Sequence, residues 1–178
     1  MDLREKLIKS EPAYKGKVID LKLDTVELPS GKASLRECVI HEPTVAVLPI
    51  KDNGKIILIK QYRHCTEKEL LEIPAGSIDK GESVEDTVQR ELAEEIGYEA
   101  DKLEKICEAF TTPGFTNEYM YFYVAKELKE KKKKGDEDEF IEVLEYTIAE
   151  VQKMIEKKEI IDAKTILAIN YYLLNKDK

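Results

Sequence analysis

Three glutamates fall within five positions, Glu91, Glu94 and Glu95, directly after Arg90, in a segment whose periodicity predicts a helix from about 84 to 96. At about 100° per residue, Val84, Val88, Leu92 and Ile96 line one apolar stripe. Glu91 and Glu95 lie on the near edge of that stripe, and Glu94 sits slightly further round. Like charges at i,i+4 cost roughly 0.2–0.5 kcal/mol on an open helix, and burial raises the penalty. Arg90 can reach Glu94 in the poorer i,i+4 orientation, but one guanidinium cannot balance three carboxylates. A hard cation can, and Mg²⁺ is the usual one where phosphates complete its shell. A Glu-Glu pair on its own also fits an ordinary solvated acidic face. What surrounds the pair decides between the two.

The elements that must position this helix are legible in outline. Alternating or β-branched runs predict strands near 17–28, 33–40, 44–50, 55–62 and 69–73, then near 103–111, 118–127 and 140–146. Pro29-Ser30-Gly31-Lys32 and Asp52-Asn53-Gly54 supply turns. Gly97 ends the acidic helix as a left-handed terminator. Thr147-Ile148-Ala149-Glu150 reads as a capping box opening a helix to about Lys157, and Asp162 caps a last helix striped by Ile166, Ile169, Tyr172 and Leu173. Strands first, one helix in the middle and helices at the end predict an α/β (α+β) architecture, a mixed β-sheet core between helices with an N-terminal β-hairpin over Lys17–Val39. The run Lys126 to Glu139 predicts a solvated loop between two strands.

At 178 residues the chain suits a single domain, with N-terminal strands over 1–42 and a catalytic core over 43–178. A formal net charge of -8 argues against a broad basic surface for nucleic acid. No apolar run approaches the ~18 residues that span a bilayer, and the charged N-terminus lacks the apolar stretch of a signal peptide. Cys38, Cys65 and Cys107 form no CxxC pair, which fits reduced thiols in a cytoplasmic protein.

The spacing around the acidic helix resembles the box of the Nudix hydrolases. Gly76, five residues, Glu82, seven residues, then Arg90, Glu91, Leu92, Glu94, Glu95 and Gly97 all match, and Tyr98 replaces an aliphatic residue at the last position. The resemblance implies a Nudix fold in which Glu91 and Glu95 bind Mg²⁺, with Mn²⁺ as a substitute, and Glu94 is a ligand or an outer base. It implies that Arg90 and Glu82 pair to hold loop to helix. The carbonyl of Ala75 commonly completes the metal site in similar enzymes. A backbone close to metal or phosphate leaves little room for a Cβ, which suits Gly76.

Outside the box, Pro113 stands sixteen residues past Gly97, a spacing that resembles the ADP-ribose pyrophosphatase subfamily. Gln61-Tyr62-Arg63, Leu71-Glu72-Ile73-Pro74-Ala75-Gly76 and the acidic Gly135-Asp136-Glu137-Asp138-Glu139 also look like that subfamily, so the resemblance runs from about residue 15 to the end. It implies hydrolysis of ADP-ribose to AMP and ribose 5-phosphate. Glu137 is the first candidate for general base and Glu139 the second, since neighbouring negative charge raises a carboxylate's proton affinity. Arg63 would supply a positive fork for the diphosphate. Glu118 would hydrogen-bond the terminal ribose or a diphosphate-bridging water, or equally make a loop salt bridge, and Arg36 could reach an active site, that of a neighbouring subunit included, with a surface role favoured for it. Tyr14 and Tyr62 could stack on adenine, though strand tyrosines are more often core or interface, and His41 and His64 sit in no ligand spacing, which suits surface or structural roles. Related enzymes are commonly homodimers, which would cover the edges of the N-terminal hairpin. The competing readings are a Nudix hydrolase for GDP-mannose, ADP-glucose or an oxidised nucleotide, and, more remotely, a non-catalytic nucleotide-sensing module.

Overall fold

In the computed structural model, which describes residues 2–131 and 140–176, the chain divides into two compact units. One comprises Met1–Pro43 and Ala109–Tyr119, the other Thr44–Glu108 and Met120–Lys178.

The first unit is built on an antiparallel sheet of three strands, β1 (Lys6–Lys15), β2 (Asp20–Glu27) and β3 (Ala33–Ile40), in that order. The hairpin expected over Lys17–Val39 is present as β2 and β3, closed at Leu28, whose carbonyl accepts from Gly31 N at 2.8 Å. β1 is an addition to that expectation. Its sequence lacks alternation and carries Pro12, its register slips on either side of Ile8 and again between Pro12 and Tyr14, and all ten residues are exposed. No buried face imposes a period of two on such a strand, so none is written into it. Alongside β3 the segment Ala109–Tyr119 is tied by Val39 N to the Phe115 carbonyl at 2.7 Å and by His41 N to Asn117 Oδ1 at 2.8 Å.

The second unit holds two sheets. In one, β4 (Thr44–Pro49), buried at every residue, lies parallel to β9 (Tyr119–Glu130) and antiparallel to β7 (Ala75–Ser77), with β8 (Tyr98–Phe110) beyond β9. In the other, β5 (Ile56–Arg63) runs between β10 (Ile141–Tyr146) and β6 (Lys68–Glu72). β8 starts five residues earlier than its apolar pattern suggested and β9 runs on to Glu130, so the loop expected from Lys126 is shortened at its start. α1 (Val84–Glu91) continues as one wider π-helical turn, Leu92–Ile96, and α2 (Ile148–Glu156) and α3 (Ala163–Asn175) close the chain. Thr147 makes the full capping box, and Asp162 caps α3 by accepting from Thr165 N.

The predicted stripe is the core. Val88 and Leu92 are fully buried and Ile96 nearly so, packed with Val45, Val47, Ile57, Ile59, Tyr123 and Ala125. Each such aliphatic side chain contributes roughly 1.5–3 kcal/mol of burial. That packing fixes which way the rest of the helix faces, and so where its carboxylates point.

Candidate active site

The helix is aimed from both ends. At its start Ser83 Oγ accepts from Asp86 N at 3.1 Å, satisfying one of the unpaired first-turn donors. At its end Gly97, with φ of 75°, adopts the left-handed conformation that stops it. The π turn between them carries Glu94 and Glu95, and single π turns recur at functional sites. A period of about 100° per residue predicts a regular α-helix over this stretch. The wider turn modifies that geometry yet leaves Glu91 and Glu95 both at 7% exposure.

Arg90 is the hub. Its Nε donates to Glu82 Oε1 at 3.0 Å and its Nη2 to Glu82 Oε2 at 3.1 Å, giving the expected ion pair between loop and helix. Nη2 also donates to the Ser77 carbonyl at 2.9 Å. Nη1 bridges Glu91 Oε1 at 2.7 Å and Glu94 Oε2 at 3.1 Å, so the i,i+4 contact forms together with a neighbour contact that spacing alone did not suggest. The guanidinium holds the Glu82 carboxyl down at about 2, helped by a hydrogen bond from Thr87. Glu82 in turn pushes the Arg90 pKa above its ordinary value. Arg90 therefore acts on the site by orienting carboxylates.

The strand before the box closes on the same carboxylates. Ala75 N donates to Glu95 Oε2 at 3.1 Å. A Cβ added at Gly76 would overlap the Glu91 carboxylate, so only glycine lets that backbone pass. Ala75, Gly76, Arg90, Glu91, Glu94 and Glu95 thus form one neighbourhood. Among the described residues no three His, Cys, Asp or Glu side chains stand as a ready-made metal cluster, since Glu91 and Glu94 are drawn onto Arg90. The donor set nonetheless fits a hard divalent cation. It offers carboxylate oxygens from three neighbouring residues, two of them buried, around a single guanidinium already committed to Glu82.

Arg63 lies in the same unit but is not an open fork. Its Nε and Nη2 donate at 2.8 Å each to the two oxygens of Glu72, which is 1% exposed. Lys164 also pairs with Glu72, and lies 3.2 Å from Asp162. Burial pushes the Glu72 carboxyl up, but Arg63 and Lys164 together outweigh it and hold the group below its usual range. This network escaped the sequence reading. The one signal for it was an acid inside the apolar run Leu70-Leu71-Glu72-Ile73, since nothing in the spacing pairs residue 72 with residue 164.

The remaining candidates are placed as follows. Arg36, in the first unit, pairs with Glu5 at 2.5 Å and donates to Ser34 Oγ at 2.8 Å. Glu118, also in the first unit, accepts from Thr111 Oγ1 at 2.7 Å. Tyr14 and Tyr62 are exposed. His41 Nδ1 lies 2.6 Å from the Glu42 carbonyl, and His64 opens a short 3₁₀ turn. Glu137 and Glu139 lie outside the described residues.

Comparison with known proteins places this geometry. Residues 40–168 match the family model described as NUDIX domain. An ADP-ribose pyrophosphatase of Bacillus subtilis (strain 168) is 51% identical over 174 residues, 97% of this chain and 94% of the relative. A protein of Bacillus methanolicus named methanol dehydrogenase activator is 44% identical over 96% of this chain and 93% of its own length. Among solved structures, a crystal structure of an ADP compounds hydrolase superposes with a TM-score of 0.88 at 25% identity, covering 98% of this chain and 95% of that one.

Proposed function

The chain belongs to the Nudix family, and from that premise we propose that it is a divalent-metal-dependent pyrophosphohydrolase cleaving ADP-ribose to AMP and ribose 5-phosphate. The observation that carries the chemistry is the buried pair Glu91 and Glu95 pressed against the Ala75–Gly76 backbone, with Arg90 pinning loop to helix. The substrate is supported by near full-length likeness to a protein named ADP-ribose pyrophosphatase.

Glu91 and Glu95, with Glu94 and the Ala75 carbonyl, hold the ion, Mg²⁺ by preference with Mn²⁺ as a substitute. When bound, that ion supplies charge neutralisation and Lewis acidity at the diphosphate. Every other part falls to the chain. Arg63, its plane fixed by Glu72, presents positive charge to the diphosphate. Glu137 takes the proton of the attacking water, with Glu139 as the alternative base. The water oxygen bonds to one phosphorus, the bridging P–O bond breaks, and its electron pair stays with the departing phosphate. Glu118 serves substrate recognition, and Arg36, Tyr14 and Tyr62 are secondary candidates for it, with Arg36 held in its favoured surface role by Glu5.

The protein acts as a homodimer in the cytoplasm, with no nucleic-acid or membrane partner. β1 supports the dimer: a ten-residue edge strand, exposed throughout, invites pairing with a second copy.

Product analysis on a panel tests the substrate. With Mg²⁺, ADP-ribose should turn over faster than ADP-glucose, GDP-mannose, NADH or diadenosine compounds and give AMP with ribose 5-phosphate. Preferential cleavage of GDP-mannose would overturn the substrate assignment, and no cleavage of any compound would overturn the activity.

A further inference from the structure

Glu72 is buried, yet two cations converge on it. Arg63 grips both carboxylate oxygens, and Lys164 takes one of them as well. A bidentate arginine already balances the charge of a buried carboxylate and fills one lone pair on each oxygen, so the second cation brings positive charge that the pair does not require. The side chain of Arg63 is 39% exposed while that of Lys164 is 14% exposed. Nη1 of Arg63 makes no hydrogen bond to the described residues. The guanidinium therefore turns its Nε and Nη2 edge to the carboxylate, and Nη1, its outer edge, is uncommitted to a hydrogen bond among the described residues on a side chain that is partly exposed. Lys164 stands behind, held by Asp162, whose other oxygen caps α3 by accepting from Thr165 N at 3.0 Å and Thr165 Oγ1 at 2.6 Å. Thr165 Oγ1 accepts from Ile73 N at 2.9 Å, so the first turn of α3 grips the end of β6 through the Glu72 side chain and the next residue through its backbone, two residues before Ala75.

We propose that Lys164 is a positioning residue for the hydrolysis: by sharing the buried charge of Glu72 it keeps the outer edge of Arg63 electrostatically available to the anionic diphosphate. The inference rests on the reading above that Arg63 meets that diphosphate. Without Lys164, Glu72 has Arg63 alone, and the carboxylate cancels the field that the guanidinium would offer to a phosphate. The loss falls on substrate binding more than on the chemical step.

The test is steady-state kinetics on ADP-ribose at saturating Mg²⁺ for K164M, K164R, E72Q/K164M and R63A. K164M should raise KM on the order of tenfold with kcat changed less than about threefold, the pattern of lost ground-state binding. K164R, which keeps the charge, should stay near wild type. E72Q/K164M removes the carboxylate that needs sharing together with the contact that fixes the plane of Arg63, so its KM should fall below that of K164M without reaching the wild-type value. An unchanged KM in K164M beside a raised KM in R63A would overturn the role of Lys164 and leave the reading of Arg63 standing. An unchanged KM in R63A would overturn both. If K164M does not fold, E72Q/K164M decides against R63A: a KM below that of R63A supports charge sharing, and a KM equal to it refutes it.

Discussion

Gly76 and Glu91 show how little freedom the site allows. Replacing Gly76 with Ala drives a methyl into the Glu91 carboxylate, and the carboxylate must move. Displacements of that order at a reacting centre cost about 100-fold in rate, so G76A should lose about that much in kcat/KM while keeping its thermal unfolding profile. Glu82 makes a second prediction. Its folded pKa of about 2 lies below the ordinary 4.5 because Arg90 donates to it. The pair therefore stabilises the fold fully above pH 4.5 and loses that contribution as pH falls from 4.5 towards 2. Acid titration followed by circular dichroism should show E82Q with a shallower loss of stability across that window than the wild type. At this scale the box was readable because its glutamates, arginine and glycines stand at short fixed intervals across one strand, loop and helix. The pairing of Glu72 with Lys164 was not, because two chain segments far apart in sequence meet only after folding.

The elements repeat that division. α1 and its terminator were legible because Gly97 and the stripe Val88–Leu92–Ile96 are local signals, whereas the Ser83 cap emerged only from the structure. The π turn was not, since its wider winding leaves no mark in a pattern read at 100° per residue. β1 was missed for the opposite reason, having no buried face to impose alternation. The first turn of α3 carries the clearest prediction for an element. Thr165 Oγ1 joins the Ile73 N–H to the Asp162 cap, and Thr165 is fully buried. Thr165→Val keeps the shape but strands that donor, which costs roughly 1–3 kcal/mol. Urea unfolding should show a lower midpoint at unchanged slope, and an unaltered midpoint would mean that α3 is not anchored through this hydroxyl.

At the scale of the molecule, an acidic chain with a net charge of -8 handles an anionic substrate. Long-range attraction cannot do this work, so the proposed mechanism places the burden on locally fixed positive charge, Arg63 and an ion at the acidic helix. The exposed strand β1 carries the prediction of assembly: static light scattering should give a mass twice that of the chain, and a monomer at micromolar concentration would end the dimer proposal. Fold class followed from the order of strands and helices, whereas assembly leaves only this indirect trace in one chain. The central claim is that the buried carboxylates of α1 and its π turn hold the ion on which hydrolysis depends. The measurement that meets it most directly is the rate of AMP release from ADP-ribose across a Mg²⁺ titration, for wild type and Glu95→Gln. The wild type should show saturable activation abolished by chelator, and Glu95→Gln should lose at least about 100-fold at any Mg²⁺ concentration. Hydrolysis that persists in chelator, or a Glu95→Gln enzyme with the wild-type metal dependence, would contradict it.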